Sequence, residues 1–503
     1  MLALFVLPIS ELASNIVQWV SSHLVKPARI SKLDFEHGVP RSCRTVVTVQ
    51  MIFNDLDTIS ESISRLEVRY LANDDHNILF ALLADLPDSV TEVDARDATI
   101  IAHATKLMTE LNERHFLPEC EARFLLLFRK RIWSPSENKY LGWERKRGKI
   151  TEFNRLILGE TNTTFEILVG NRVQLLGLKY VITLDGDTSL PRNVARELIG
   201  AIAHPLNRAI FDPQKNIVVE GYGLIQPRVS ISMMSACKSR FSNTFLGQVG
   251  LDPYTTLTSD VYQDLFLEGS YVGKGIYDVQ SFERALSGRV PDGTLLSHDL
   301  FEGAFARVAL ATDIEVFDEF PSCNFLYAQR IHRWIRGDWQ LLPWIFGRIP
   351  NHKGVRYQTP LSALSRWKII DNLRRSLVAP SCFLALGVGL SFFPGSQLVW
   401  LFLIILVLAF PIYANVANAM VGSTKGLSIV SYITRVVRDA VKHTVQMICL
   451  LSFLPQQAYL IIHAITVTLY RVMFSKKNLL RWKVACFAES SLKAGECLSS
   501  FKQ

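Results

Sequence analysis

From Thr45 to about Val219 short apolar runs alternate with stretches of helical spacing, the signature of a parallel sheet covered by helices. The run Thr45 to Phe53 reads as a buried strand. Asp57 to Tyr70, with Ile59, Ile63 and Leu66 at helical spacing, reads as the helix after it. Ile78 to Leu83, Phe124 to Phe128 and Tyr180 to Leu184 predict three further strands. The last two flow into polar loops at their C-terminal ends, where open α/β sheets place their ligands. Function is expected in those loops.

After Arg375 the pattern changes. Two strongly apolar stretches, roughly Leu377 to Phe393 and Leu398 to Ala414, flank the turn Pro394-Gly395-Ser396-Gln397 and predict a transmembrane hairpin. Arg366, Lys368, Arg374 and Arg375 precede the hairpin, and Lys425, Arg435 and Arg438 follow it. The positive-inside rule therefore puts both ends, and the α/β domain, in the cytoplasm of a multi-pass protein of the inner (cytoplasmic) membrane. Thr444 to Phe474 is also apolar but interrupted by Gln446, Pro455, Gln456, Gln457 and His463, and spanning or surface-lying are equally open for it. Met1 to Val25 is apolar, broken by Pro8 and Glu11, and lacks the basic start and small-residue cleavage site of a signal peptide, so an interfacial or membrane helix is expected. The expected division is this helix and a linker at 1–40, the α/β domain at 41–350, an amphipathic segment and the hairpin at 351–420, and membrane-associated helices at 421–503. The final residues, Glu489 to Gln503, read as a cut or altered end.

A chain of 503 residues that is 49% hydrophobic can bury a substantial core, so disorder is not the default. A mean hydropathy of +0.19 with only 20% charged residues is high for a soluble enzyme and agrees with the apolar C-terminal stretches. The net charge of +8 suits an acidic membrane surface, a phosphorylated substrate or nucleic acid equally well. The eight cysteines are scattered, without a C-x-x-C pair or a Cys/His cluster at zinc spacing; unpaired thiols in a reducing compartment are the simplest account.

Candidate chemistry begins at Val181-Ile182-Thr183-Leu184-Asp185-Gly186-Asp187, a buried strand ending in two carboxylates that flank one glycine. Mg²⁺ or Mn²⁺ prefers oxygen ligands and is typically held by one or two carboxylates plus substrate phosphates, so Asp185 and Asp187 suit a nucleotide diphosphate. A plain Asp-Gly turn is the other reading. Arg145, Lys146, Arg147 and Lys149, in Gly142 to Lys149, form a charged loop that suits either diphosphate oxygens or a solvated surface. Asp299, in Ser297-His298-Asp299 ahead of a helical stretch, is the candidate general base; helix capping is its alternative. Arg330, Arg333 and Trp334 lie on an amphipathic stretch before the membrane, fit for phosphates and sugar rings or for an interfacial anchor. Glu220 to Arg228 and Tyr262 to Gly275, rich in Gly, aromatics and acids, are assigned to an acceptor groove.

Strand-end D-x-D, a later lone Asp and x-x-R-W ahead of a membrane hairpin resemble, in that order, the processive family-2-type transferases such as cellulose and hyaluronan synthases. The strings Gly142 to Leu156, Thr183 to Arg192, Ser259 to Ser270, Leu295 to Gly303 and His332 to Trp344 more narrowly resemble the glycosyltransferase domain of cyclic β-1,2-glucan synthases, over about Leu7 to Ser490. That resemblance implies a GT-A-like (Rossmann-like) fold, inverting transfer from UDP-glucose with a divalent cation, a growing β-1,2-glucan as acceptor, and no nucleic acid. Carried over, Asp185 and Asp187 would bind the metal diphosphate and Asp299 would be the base. Arg333 and Trp334 would hold donor and acceptor, and Asp85 or Asp88 would contact the uridine. Two features depart from the family. The wider group has Gln where Arg330 stands, and complete synthases continue into cyclising and phosphorylase-like regions. A separate polypeptide carrying those regions is therefore an expected partner for cyclisation. A non-catalytic membrane scaffold and a different polysaccharide synthase are the competing readings.

Overall fold

A computed structural model describes residues 5–116, 122–245, 261–351, 354–392, 396–421 and 428–481. Pro394, Gly395, Lys425, Ser259, Asp260 and the stretch 489–503, all used above, lie outside the described residues.

Eight strands form the central sheet: β1 (Thr45–Ile52), β2 (Ile78–Asp85), β3 (Phe124–Arg129), β4 (Phe165–Val169), β5 (Tyr180–Asp185), β6 (Leu224–Ile231), β7 (Gly275–Asp278) and β8 (Val308–Asp318). Their order is β8-β6-β7-β5-β1-β2-β3-β4. The four strands expected from the apolar runs, β5-β1-β2-β3, are neighbours and all parallel. β4 adds an antiparallel edge, and β7 runs antiparallel to both β5 and β6.

Buried on both faces, β2 reads Ile-Leu-Phe-Ala-Leu-Leu-Ala-Asp with no exposed position, as a central parallel strand should. Its alternate residues split between two cores. Phe80, Leu82 and Ala84 pack with Ile59, Ile63 and Leu66 of the helix Leu56–Ala72. Leu79, Ala81 and Leu83 pack with Ile150 and Phe153 on the other face. The helix Leu56–Ala72 starts where Asp55 accepts a hydrogen bond from the Thr58 amide at 2.7 Å, satisfying one of its free donors.

Register decides where the chemistry falls. Gln50 of β1 pairs with Asp185, and Ile52 pairs with Asp85, so two acids end the parallel strands on either side of β1, at the carboxyl end of the sheet.

Among the described residues, two helices are long and apolar enough to cross a bilayer by length and composition: Ala363–Phe392, mean hydropathy 1.4, and Val430–Ser475, mean hydropathy 1.6. The second arm of the expected hairpin is a helix, Gln397–Val421, whose apolar part Gln397–Phe410 is shorter. The basic residues that precede the expected hairpin lie within the first helix and face protein. Lys368 binds Glu268 at 2.9 Å, and Arg374 binds Glu11 at 2.9 Å and Asp371 at 2.8 Å. Polar residues that interrupt the last apolar stretch are likewise engaged. Gln456 accepts from Asn324 at 2.8 Å, and His463 stands 3.1 Å from His332, both on the helix Asn324–Gln340. Val6–Leu24 is a helix, and Phe5 just before it packs its ring against Trp400 at 5.1 Å.

Candidate active site

At the carboxyl end of β5 the chain turns through Asp185-Gly186-Asp187-Thr188, closed by the Thr188 amide donating to the Asp185 carbonyl at 3.1 Å. The turn is held from below. Arg69 donates to the carbonyls of Gly186 (2.8 Å) and Thr188 (3.0 and 2.7 Å), and a side chain at 186 would run into Met51 Sδ at 2.3 Å. Ser189 pairs its backbone with Phe317, which draws the end of β8 alongside. Thr188 Oγ1 then donates to Asp318 at 2.7 Å.

Three carboxylates and two ammonium groups converge here. Lys146 Nζ stands 2.7 Å from Asp185 Oδ1, while Lys274 Nζ bridges Asp185 (3.0 Å) and Asp318 (2.8 Å). Burial opposes ionisation of Asp185, but the two lysines outweigh it and hold its pKa well below the usual carboxylate range. Asp187 shifts the other way: burial, then Asp318 and Asp185, push its pKa up against the pull of Lys274 and Arg330. Burial also opposes the Lys274 charge, yet Asp318, Asp185 and Asp187 raise its pKa.

The charged run after Gly142 is not a loop. It forms the first turns of the helix Arg145–Ile157, entered through left-handed Glu144 (φ 50°) and Arg145 (φ 54°). Each cation has its own acid, which is why the run tolerates the fold's interior. Arg145 binds Asp88 (2.7 Å through Nη2), Arg147 binds Glu144 (2.5 Å), and Lys149 binds Asp85 (2.9 Å). Only Lys146 reaches the D-G-D end. Asp85 is also gripped by both forks of the fully buried Arg129, at 2.7 and 2.9 Å, and Glu152 takes a third bond from that guanidinium at 3.1 Å. Arg129 and Lys149 hold the Asp85 pKa low against burial, and burial lowers Lys149 to about 8. Asp85 is thus an internal anchor for the helix that presents Lys146.

Asp299 opens the helix Asp299–Ala306 without capping it; no side chain caps that helix. Its Oδ1 is buried and accepts no hydrogen bond. A methyl group on Gly273 would meet Asp299 Oδ1 at 2.6 Å and Lys146 Nζ at 3.0 Å, which places the candidate base beside the lysine of the D-G-D cluster. From the helix Asn324–Gln340, burial and Arg330 lower the Arg333 pKa while Asp185, Asp187 and Asp299 pull it up, so its guanidinium faces the same cluster. Arg330 donates to the Glu319 carbonyl at 3.3 Å and lies over the Trp334 ring at 5.0 Å.

The fold therefore gathers Asp185, Asp187, Asp299, Lys146 and Arg333 at one place, sets Asp85, Lys149, Asp88 and Arg145 to one side, and leaves Arg147 paired within its own turn. Sequence reasoning put Lys274 in the acceptor-groove string Tyr262 to Gly275 and missed Asp318 and Arg69. Lys274 had a signal in Gly273-Lys274-Gly275, but Asp318 ends a strand with nothing around it to mark it. A further group, His298, Asp299 and Glu302, has ligand atoms within 4.8 Å of one another.

Over 493 residues, 98% of its length, the chain is 38% identical to the cyclic beta-(1,2)-glucan synthase NdvB of Rhizobium meliloti (strain 1021). This chain is a cyclic glucan synthase relative. It spans about 17% of the length of NdvB. No protein-family model matches it.

Proposed function

We propose that the chain is an inverting, membrane-associated glycosyltransferase of GT-A-like fold that elongates a β-1,2-glucan from UDP-glucose in the cytoplasm. The observation that carries the reading is the cluster at the end of β5: Asp185 flanked by Lys146 and Lys274, with Asp187 and Asp318 adjoining and Asp299 across Gly273. Its relationship to a protein named for glucan synthesis supports the sugar chemistry.

The donor set fits a hard divalent cation. Asp185, Asp187 and Asp318 offer only oxygen, and the burial and acid repulsion that raise Asp187 are what a bound cation would offset. When bound, Mg²⁺ or Mn²⁺ would neutralise the diphosphate and ease its departure. Lys146, Lys274 and Arg333 are the cations of the chain itself, placed to meet the same phosphates once the donor arrives.

Asp299 takes the proton of the acceptor hydroxyl as that oxygen bonds to the anomeric carbon; the bond from carbon to the diphosphate oxygen breaks, and its electron pair leaves with UDP. A single displacement from the opposite face inverts the anomeric centre, and one base suffices. The open lone pair on Asp299 Oδ1 suits that role. Trp334 offers a ring face to the sugar, and Asp88 with Arg145 borders the nucleoside side.

The test is UDP release from UDP-glucose by the whole chain in lipid nanodiscs, with linkage analysis of the product. Asp299→Asn should keep donor binding while turnover falls by roughly 10² to 10⁴-fold. Unchanged turnover would remove Asp299 from the mechanism, and a product without β-1,2 linkages would remove the acceptor assignment.

A further inference from the structure

We propose that His298 and Glu302 form a buried charge pair that positions Asp299 for proton transfer; this rests on the reading of Asp299 as the general base. His298 and Glu302 are four residues apart at the start of the helix Asp299–Ala306, so they meet on one face of its first turn. Both side chains are only 4% exposed, and His298 Nδ1 stands 2.8 Å from Glu302 Oε1 and 3.6 Å from Asp299 Oδ1. Asp299 Oδ1, Glu302 Oε2 and His298 Nδ1 are all buried without a directed hydrogen bond, so the ring meets the two carboxylates through charge. With a neutral ring, the buried Glu302 carboxylate and the half-buried Asp299 carboxylate would face each other across it.

Burial opposes the imidazolium, but Glu302 and then Asp299 outweigh it and raise the His298 pKa above its usual value, with Lys146 opposing. Other charged or titratable groups that face Asp299 come from separate elements: Lys146, Arg333, Asp338 and Tyr271. The Tyr271 phenol is pushed well up by burial and then by Glu302 and Asp299, so it stays neutral and leaves the ring as the charge adjoining Asp299 on its own helix.

A metal ion on these three groups is the alternative. An ion with tetrahedral bonds of about 2.0–2.1 Å would hold its ligand atoms roughly 3.3 Å apart. The 2.8 Å contact between His298 and Glu302 is a direct ion pair, too short to have an ion between them. An ion on Asp299 would also occupy the lone pair that receives the proton.

The experiment is the pH dependence of kcat and kcat/KM for UDP release by the whole chain in nanodiscs. His298→Gln should lower kcat by roughly 10 to 100-fold, part of what the base itself contributes, with the donor KM within about twofold of wild type. Loss of the neighbouring cation leaves the Asp299 and Glu302 carboxylates facing each other, so the acid limb of kcat/KM should move to higher pH. His298→Lys keeps a cation and should hold that limb near its wild-type position. Glu302→Gln lowers the affinity of His298 for its proton, so the alkaline limb of kcat should move to lower pH. Wild-type turnover and unmoved limbs in His298→Gln would overturn the proposal, as would equal losses in the Gln and Lys variants or Zn²⁺ binding by calorimetry that His298→Gln abolishes. If His298→Gln fails to fold, the alkaline limb of Glu302→Gln decides, and an unmoved limb overturns the pair. Retained turnover in Asp299→Asn would instead refute the base assignment itself.

Discussion

Replacing Gly273 with alanine perturbs the proposed base without touching it chemically. Gly273 has φ +86°, and an added Cβ would lie 2.6 Å from Asp299 Oδ1, 2.9 Å from Asp299 Cγ and 3.0 Å from Lys146 Nζ. Unstrained contact begins at about 3.4 Å, so the carboxylate must retreat by about 0.8 Å. Lys146 yields more easily, because its contact is the far end of a flexible chain. The left-handed φ adds about 1–2 kcal/mol of backbone strain for alanine, enough to lower the melting temperature and too little to unfold a stable domain. A misplacement near 1 Å at reacting groups costs about 10²-fold, so kcat for UDP release should fall by roughly 10 to 100-fold while the donor KM moves less. Combined with Asp299→Asn, the alanine should add almost nothing, since both act through one carboxylate. A kcat for Gly273→Ala within about threefold of wild type, in a chain that melts as expected, would refute the placement of Asp299 against Gly273 as a functional contact.

Arg129→Met leaves Asp85 and Glu152 buried with one partner fewer, a loss of about 3–5 kcal/mol; because Lys149 still pairs with Asp85 at 2.9 Å, the lower end is expected in denaturant unfolding, and a loss under about 1 kcal/mol would contradict the anchoring role. Lys274→Met removes the ammonium shared by Asp185 and Asp318 and should weaken UDP binding by roughly tenfold or more, the worth of a charge-assisted hydrogen bond; unchanged calorimetric affinity would place Lys274 outside the donor site. Burial raises the Asp338 pKa to about 7 against Arg375 and Asn372, so between the ordinary carboxylate value and pH 7 the folded chain holds a proton that the unfolded chain has lost. Stability therefore falls as pH rises through that window, and the wild-type melting temperature should drop relative to Asp338→Asn between pH 5 and pH 8; parallel curves would rule this out.

Strands β1, β2, β3 and β5 were legible because each is a short apolar run closed by polar residues, and the run Thr45–Ile52 and the helix Leu56–Ala72 fall within a residue or two of expectation. Strand β7 was not, because four residues, Gly275 to Asp278, carry no pattern, and its antiparallel insertion is what brings Lys274 to the end of β5. The basic run at Arg145 to Lys149 was misread as a loop. Its charges suggested solvent, but the acids that neutralise it, Asp85, Asp88 and Asp185, come from other strand ends that no local window shows. Glu302 escaped for the opposite reason: it stood inside a recognised string, and only the helical turn reveals that it faces His298. In the apolar C-terminal part, hydropathy located the helices but not their partners, so Lys368 and Arg374 were read as positive flanks of the hairpin, while Glu268 and Glu11 bind them.

Mn²⁺ binding in the presence of UDP, followed by electron paramagnetic resonance on the whole chain in nanodiscs, tests most directly whether the acids after Leu184 hold a cation against donor phosphates. The account predicts a bound Mn²⁺ signal that UDP strengthens in wild type and that Asp187→Ala loses while its melting temperature holds. Equal Mn²⁺ and UDP binding by wild type and Asp187→Ala would contradict it.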